Sequence, residues 1–576
     1  MMHVVWAPKQ RSAGPPLRQD RVLLVIRLLL LVLVLAVFGR ILGNEFVDWD
    51  DGGLIYANPN LNPPTWSSLV RHWDPRDKTN ISLYDPLVFT VWWGLACVSR
   101  LNYPDVVGAT LNPMVYHGAN LLVHWLSACV VLEILLQLRL SPWPAGIGAM
   151  LFAIHPLQTE AVAWATGMKD LLSGLLALGA IWQYLVATQG KGRWRNYFLA
   201  SVLYVLALLS KPSAVVVPGL VWVLDVVIFG RSWKRSLLRM VPWLVLGAAT
   251  IGIAIAIQKI HDIPPTPAWL RPLIAGDALT FYLYKLIVPV HLSFDYGRTP
   301  TAVLNDPHHP LYWTWLVPVA LAAILWKSKK RMLIGAGLIF FVGLLPVLGL
   351  ATFIYQIYST VADRYVYVPM LGVAMGAAWV IERLGRARVY AASAAVLAIL
   401  AAVCFAQAGV WKNTQTLFEN GWAQSGNRFN PLHLDVLANY LDRRSVLEQA
   451  RGDAAAAGAD VQEAIRCFSR SIQLDPLFPR VYDDLCDDLV RAGRFDEAVD
   501  VGRSLIDVQP RLPAELRQKP AVLHYRLGML YYRAGRWAEA GEQFQQSLQI
   551  EPTADGRKML DAAVQMRNSS ATTRPQ

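Results

Sequence analysis

Long apolar runs fill residues 22–408 and constrain the fold of this chain more than any other feature. A helix needs about 20 apolar residues to cross the hydrocarbon core of a bilayer, where every backbone polar group must be hydrogen-bonded internally. Residues 412–576 instead carry charge at a density typical of soluble proteins. Over the whole chain only 16% of the residues are charged, against roughly a quarter in soluble domains. The sequence therefore predicts a membrane part followed by a water-soluble part.

The apolar runs predict an all-α protein whose residues 22–411 form a polytopic transmembrane helical bundle of about eleven spans. Two further apolar runs, 86–99 and 277–290, contain proline or charge, so we interpret them as interfacial or re-entrant helices. The predicted spans are 22–43, 112–138, 142–155, 165–187, 196–210, 213–229, 240–258, 311–326, 332–352, 366–382 and 389–408.

Basic residues concentrate in short loops between the apolar runs, at 191–195, 231–239, 327–331 and 383–388. Positive charge in such loops marks the cytoplasmic side of a membrane protein. The net charge of +12 is therefore explained by topology, and we expect no nucleic-acid partner.

The same charge pattern predicts the orientation of the chain. It places residues 1–21 in the cytoplasm as an N-terminal segment, and it places the large first loop 44–85 on the opposite, extracytoplasmic face. An odd number of spans puts the C-terminal region on that face as well. We therefore expect a multi-pass protein of the cell inner membrane with a periplasmic C-terminal domain.

The C-terminal region contains an internal repeat. Ala464 and Ala498 occupy matching sequence contexts 34 residues apart, and Ala540 follows after a further 42 residues. Thirty-four residues is the period of the tetratricopeptide repeat (TPR), a helix–turn–helix unit that stacks into a solenoid. The longer second interval predicts an eight-residue insertion near 511–520.

We predict an α-solenoid TPR domain of about three repeats over residues 451–565. A linker and a capping helix at 412–450 precede it, and a disordered tail at 566–576 follows it. A TPR groove would bind a peptide or a protein segment, while a structural spacer is the alternative.

Four carboxylates directly follow the first predicted span, at Glu45, Asp48, Asp50 and Asp51. Clustered acids raise one another's pKa and can leave one of them able to act as a general base. They could also hold a divalent metal, Mg²⁺ or Mn²⁺, against phosphate groups. A solvated acidic loop is the simpler alternative.

Three more groups of polar residues interrupt the apolar sequence at the predicted extracytoplasmic ends of spans. Ionisable residues at such depth are mostly functional. Gln158 and Glu160 offer hydrogen bonds to a polar substrate, and Lys211 and Arg364 offer charge to a phosphate. Ion pairs within Lys169–Asp170 or Asp363–Arg364 are the structural alternatives. The three groups are His155, Gln158, Glu160, Trp164, Lys169 and Asp170; Lys211; and Asp363, Arg364 and Tyr365.

Several common catalytic motifs are missing from the sequence. It contains no GK[ST] phosphate loop, no HExxH and no GxSxG. No predicted cytoplasmic segment is long enough for an enzyme domain that uses nucleotide sugars. The four polar groups therefore predict one site that faces out of the cytoplasm.

Six stretches of the chain, taken in order, resemble the transmembrane and tetratricopeptide-repeat (TMTC-type) proteins of the GT-C class of membrane glycosyltransferases. Two positions depart from the family pattern: Met168 stands in place of an arginine, and Asp85 stands in place of the arginine of a Tyr-Arg-Pro motif. The stretches are FVDWDDGGLIYANP (46–59), LFAIHPLQTEAVAWATGMKDLLSGL (151–175), LLSKPSAVVVPGLVWVLD (208–225), KLIVPVHLSFDY (285–296), TVADRYVYVPMLG (360–372) and GVWKNTQTLFEN (409–420).

The resemblance implies transfer of a sugar, with mannose the first candidate, from a polyprenyl phosphate to hydroxyls of exported proteins. The resemblance implies that Asp50 or Asp51 is the catalytic base. The donor phosphate would lie against Lys169, Lys211 and Arg364. The resemblance names no metal ligand. The remaining predicted contacts with substrate are His155, Gln158, Glu160, Trp164, Asp170, Asp363 and Tyr365.

Two other functions fit the same sequence. One is a polysaccharide polymerase or ligase that uses a lipid-linked glycan. The other is a membrane-anchored TPR scaffold without catalytic activity.

Overall fold

The computed structural model describes residues 16–76, 84–105, 108–190, 192–257, 266–306, 313–425 and 430–572. The predicted N-terminal segment lies largely outside these residues. The regular structure of the described part is helical, and it contains no β-strand. The chain divides into two compact units, residues 1–102 with 110–425 and residues 103–109 with 426–576. We call them the membrane unit and the TPR unit.

The membrane unit contains seventeen α-helices among its described residues. They are α1 (Pro16–Phe38), α2 (Trp66–His72), α3 (Pro86–Val98), α4 (Pro113–Gln137), α5 (Pro142–Ile154), α6 (Thr159–Ala163), α7 (Met168–Gln189), α8 (Arg193–Ser210), α9 (Val217–Val223), α10 (Trp233–Ile257), α11 (Arg271–Ile287), α12 (Pro300–Asn305), α13 (Leu316–Lys327), α14 (Arg331–Leu344), α15 (Met370–Leu384), α16 (Ala387–Val410) and α17 (Thr414–Ser425).

Small residues set the packing of the helices at the centre of the membrane unit. Helix α5 approaches α15 so closely that a Cβ atom at Gly148 would lie 2.7 Å from the carbonyl oxygen of Ala374. Close approach through glycine and alanine is the usual way in which helices associate in lipid, where the hydrophobic effect gives no net drive. The interface therefore depends on glycine at position 148.

The number of spans is smaller than the sequence predicts. Within the described residues, five helices are long and apolar enough to cross a membrane, instead of about eleven. They are Asp20–Gly43, Pro113–Gln137, Ala165–Gln189, Trp233–Ile257 and Ala387–Val410.

The difference arises because most of the other predicted spans form helices or helix segments too short to cross a bilayer alone. Proline starts a new segment at Pro142 and at Pro212, because it lacks the N–H that would continue the preceding helix. The run 213–229 consequently consists of a 3₁₀ turn, the short helix α9 and a π-turn. Helices α13, α14 and α15 have 12, 14 and 15 residues, which is too short to span alone.

The two ends of the membrane unit differ in charge. The predicted polar groups lie at one end, where α1 and α8 finish and α7 begins. The basic loops lie at the opposite ends of the helices, and residues of different basic loops contact one another there. The guanidinium of Arg331 lies beside Gly230, and the hydroxyl of Tyr197 donates to the carbonyl of Arg239 at 2.7 Å. The bundle thus has a basic end and a site end.

Among its described residues, the TPR unit contains three antiparallel helix pairs and a closing helix. The turns of the second and third pairs use Gly493 (φ 74°) and Gly535 (φ 72°), which accept the left-handed conformation without strain. The helices are α18 (Pro431–Ala450), α19 (Ala454–Leu474), α20 (Arg480–Arg491), α21 (Phe495–Val508), α22 (Pro520–Arg533), α23 (Trp537–Ile550) and α24 (Ala554–Thr572).

Two boundaries of the TPR unit differ from the prediction. Helix α18, predicted as a cap at 430–450, is the first helix of the first pair, and the Ser471 hydroxyl of α19 donates to its Pro431 carbonyl at 3.0 Å. The tail predicted to be disordered from 566 is helical through Thr572. The predicted insertion near 511–520 falls in a segment with two 3₁₀ turns, Gln509–Arg511 and Ala514–Leu516.

Candidate active site

The acidic loop after α1 is held by the junction between α16 and α17. The Asn44 side chain donates to the carbonyl of Trp411 at 2.9 Å, and the backbone N–H of Asp48 donates to the hydroxyl of Thr414 at 2.9 Å. Both partners lie in or beside the stretch 409–420, which is more than 360 residues away in sequence. The loop is therefore positioned by tertiary contacts.

The two aspartates proposed as base occupy different environments. Asp51 is fully buried and accepts hydrogen bonds from the backbone of Val47 at 2.9 Å and from the Thr166 hydroxyl at 2.6 Å. Burial raises the pKa of Asp51 to about 7, although these bonds oppose the shift. Asp50 has a side chain that is 43% exposed and lies 3.8 Å from the Nζ of Lys169. Asp50 is thus the accessible carboxylate, and Asp51 orders the loop.

Each cation of the site has a carboxylate partner from a distant part of the chain. Lys211 donates to Asp170 at 2.5 Å, and Lys169 lies near Asp50. The guanidinium of Arg364 donates to Glu160, whose other oxygen accepts from the backbone N–H of Arg364 at 2.9 Å. The structure thereby brings the four predicted polar groups together at one end of the bundle.

The pairs suggested within Lys169–Asp170 and Asp363–Arg364 do not form. Asp363 accepts instead from the hydroxyl of Tyr296 at 2.8 Å. Adjacent residues near the start of a helix diverge by about 100° around its axis, so neighbours in sequence rarely face each other. Lys169, Asp170 and Arg364 therefore pair with distant residues of opposite charge, and not with their neighbours in sequence.

Aromatic rings contact two cations of the site, Arg364 and Lys211. The guanidinium of Arg364 lies 4.2 Å from the ring centre of Tyr355 and 5.0 Å from that of Tyr365. The Nζ of Lys211 lies 5.5 Å from the ring centre of Tyr365. Such contacts stabilise a cation by roughly 0.5–2 kcal/mol and leave its charge intact. The site therefore holds positive charge in apolar surroundings.

A narrow cleft joins this charged cluster to an apolar region between the helices. Asp170, Lys211, Arg364 and Tyr365 lie at its polar end. Its free volume is about 40 Å³, so a larger ligand must widen it. The apolar lining consists mainly of small or branched residues: Ala177, Ala214, Val216, Gly343, Pro346, Val347, Val368 and Pro369.

Three predicted substrate contacts are buried among protein atoms. His155 accepts from the backbone of Leu157, Gln158 donates to the Phe152 carbonyl at 3.2 Å, and Trp164 is only 2% exposed. Their predicted contact with substrate stays a prediction, and it requires the site to open. In the present conformation they support the loop that carries Glu160.

Several residues of the site carried no role in the sequence analysis. Thr166 fixes Asp51, Tyr296 fixes Asp363, and Tyr355 covers Arg364. Trp49, beside the aspartates, contacts the ring of Tyr358 at 4.9 Å. Trp49, Thr166 and Tyr296 fall within the family-like stretches, and this position is the sequence feature that could have pointed to them. Tyr355 lies outside those stretches, and only the fold brings it to Arg364.

The expected divalent metal has no ready set of ligands. Across the described ranges, no group of three or more His, Cys, Asp and Glu side chains is arranged to hold a metal ion. Asp50, Asp51, Glu160 and Asp170 are paired with cations or hydrogen-bond donors instead.

The TPR assignment is supported by a direct family match. The Tetratricopeptide repeat family model matches residues 521–554, which cover most of α22 and all of α23. The chain therefore contains a tetratricopeptide repeat.

The chain is also similar to several TMTC-type proteins. Protein O-mannosyl-transferase F38B6.6 of Caenorhabditis elegans is 24% identical over 69% of this chain and 57% of its own length. Human protein O-mannosyl-transferase TMTC3 is 27% identical over 47% of this chain and 28% of its length. Mouse TMTC4, also named a protein O-mannosyl-transferase, is 24% identical over 66% of this chain and 60% of its length.

These matches confirm the resemblance to TMTC-type proteins that the ordered motifs predicted. The chain spans between about a quarter and three-fifths of the length of these relatives.

Proposed function

We propose that this chain is a membrane glycosyltransferase that moves a sugar, with mannose the first candidate, from a polyprenyl phosphate to hydroxyls of exported proteins. The carrying observation is the cleft with Lys211 and Arg364 at one end and apolar residues along the rest. A phosphate with a long hydrocarbon tail matches both parts of this lining. The names of the relatives supply the sugar and the protein acceptor.

The acceptor hydroxyl would lose its proton to Asp50, the exposed carboxylate of the acidic loop. The hydroxyl oxygen then forms a bond to the anomeric carbon while the bond from that carbon to the phosphate oxygen breaks. The electron pair stays on the departing lipid phosphate. Direct displacement inverts the anomeric centre.

Lys169, Lys211 and Arg364 would stabilise the charge that develops on the phosphate. In this proposal Asp51 is a positioning residue, because its carboxylate is held by Thr166 and Val47. Asp170 and Glu160 hold the cations in place until the donor binds.

We propose that the site end faces away from the cytoplasm, in the periplasm of a cell whose inner membrane holds the bundle. The basic end supports this orientation through the positive-inside rule. Helix α16 starts at the basic loop that includes Arg386 and ends next to the acidic loop. The chain thus leaves the membrane unit at its site end, and the TPR unit would bind acceptor or partner proteins on that side.

The test is transfer of radiolabel from polyprenyl-phosphate mannose in membranes that contain the full chain. Label should enter protein in the wild type and be lost in Asp50→Asn. Asp74→Asn is the matched control, because Asp74 is an exposed aspartate of the same loop. Label in polysaccharide would instead favour a polymerase or ligase. No transfer from any polyprenyl-phosphate sugar would refute the proposal and leave a TPR scaffold.

A further inference from the structure

Asp85 is a buried carboxyl that no role has yet explained. It stands just before α3 and is 3% exposed. Its Oδ1 has no hydrogen-bond partner among the described residues. Aspartate at this position of a helix commonly accepts a bond from the first turn, but the side chain of Asp85 makes no such bond. A buried carboxyl oxygen without a hydrogen-bond partner is costly, so it calls for a functional explanation.

The charged groups that face Asp85 all belong to the proposed donor site. They are Lys169 and Asp170 at the start of α7 and Lys211 just after α8. Helix α3 packs against these two helices and against α2 and α4. From α2, His72 stacks on Phe89 of α3 at 4.5 Å. Burial raises the pKa of Asp85 to about 6, while the two lysines oppose the shift. Asp85 is therefore ionised at pH 8.

Each cation of the proposed donor site already has a carboxylate partner. Lys169 lies against Asp50, Lys211 against Asp170, and Arg364 against Glu160. An ionised Asp85 therefore adds a negative charge that none of these three cations is left to balance. The site consequently has no surplus of positive charge with which to hold a highly charged headgroup.

Glycosyl transfer changes the charge of the lipid phosphate. The donor is a phosphodiester with one negative charge. Breaking the bond between the anomeric carbon and oxygen leaves the electron pair on the phosphate, which becomes a monoester with up to two charges. A fixed carboxylate beside the lysines opposes the second charge more than the first.

We propose that Asp85 sets the charge of the lipid headgroup that this site retains, favouring the phosphodiester donor over the monoester product and over lipid diphosphates. The inference rests on the proposed function and adds a specificity-determining residue to it. Asp85 would thereby also speed release of the spent lipid phosphate.

The experiment measures direct binding of three probes to the full chain in phosphatidylcholine nanodiscs at pH 8. The probes are polyprenyl-phosphate mannose, polyprenyl phosphate and polyprenyl diphosphate. In the wild type the phosphodiester should bind most tightly. Asp85→Asn should tighten the monoester and the diphosphate about tenfold, and the phosphodiester about threefold or less. Asp74→Asn, an exposed aspartate upstream, should change none of the three affinities.

Asp85→Glu should keep the wild-type order, because it keeps the charge. Asp85→Ser provides a second neutral variant if the asparagine variant does not fold. Unchanged affinities in a folded neutral variant, or a wild type that prefers the monoester, would overturn the inference and leave the proposed function standing. A wild type that binds none of the three lipids would refute the proposed function itself.

Discussion

The two units of the protein treat charge in opposite ways. In the membrane unit, Glu160 and Arg364 are both buried and lie 204 residues apart in sequence. In the TPR unit, Arg494 stands directly before α21 and pairs with Glu497 in its first turn, and the two side chains are 37% and 57% exposed. An exposed pair contributes less than about 1 kcal/mol, whereas a buried charge must have its partner. The contrast supports the proposal that the membrane unit keeps its buried charges for function, while exposed pairs in the TPR unit contribute to solubility and local stability.

The largest effect should follow loss of the buried carboxylate. Glu160→Gln leaves the guanidinium of Arg364 without a counter-charge, so we expect the free energy of unfolding to fall by about 3–5 kcal/mol. Transfer should disappear as well, because Arg364 loses its position. Thermal unfolding in detergent and transfer of radiolabel measure the two effects. Wild-type stability in this variant would mean that Glu160 is neutral in the folded protein. The contrast between a buried ion pair in the membrane unit and an exposed one in the TPR unit would then not hold.

The second effect concerns pH. Asp51 has a pKa raised to about 7 in the folded protein, against 3.8 in the unfolded chain. The folded state therefore binds more protons between these values, and stability should fall as the pH rises from about 4 to about 7. At 1.36 kcal/mol per unit the change is at most about 4 kcal/mol.

Asp51→Asn should remove the part of the slope that Asp51 contributes and leave the part that comes from other buried carboxyls such as Asp85. Unfolding followed at several pH values gives the slope, with the exposed Asp74→Asn as control. A slope that is as steep in Asp51→Asn as in the wild type would assign the titration to other groups.

The third effect separates chemistry from stability. Asp50→Asn should lower kcat about 100-fold or more, since a positioned general base contributes about that much. KM and unfolding should change little, because the side chain is 43% exposed and lies 3.8 Å from its nearest cation. Steady-state kinetics with polyprenyl-phosphate mannose measure both constants. Full activity in this variant would exclude Asp50 as the base.

The smallest effect belongs to the TPR unit. Glu497→Gln makes the same substitution as Glu160→Gln, but its partner Arg494 remains in water. We expect the free energy of unfolding to change by about 0.5 kcal/mol or less, and transfer to stay at the wild-type rate. A loss comparable with that of Glu160→Gln would show that the two units do not differ in the way proposed.

Much of the architecture could be read from the sequence. The repeat of Ala464, Ala498 and Ala540 predicted the TPR helix pairs, because a local period fixes which face of each helix is buried. The predicted site residues also meet at one end of the bundle. The span count was wrong because hydropathy does not record how long each helix is. The predicted spans 142–155, 311–326 and 366–382 form helices of 13, 12 and 15 residues, which are too short to cross a bilayer alone.

The sequence by itself determined the helical class, the division into an apolar and a charged part, and the repeat. Each of these depends on composition or on spacing along one short segment. Only the tertiary structure decided that Glu160 pairs with Arg364, that Asp170 pairs with Lys211, and that Asp50 is exposed while Asp51 is buried. These features depend on which distant segments meet, and neither hydropathy nor period contains that information.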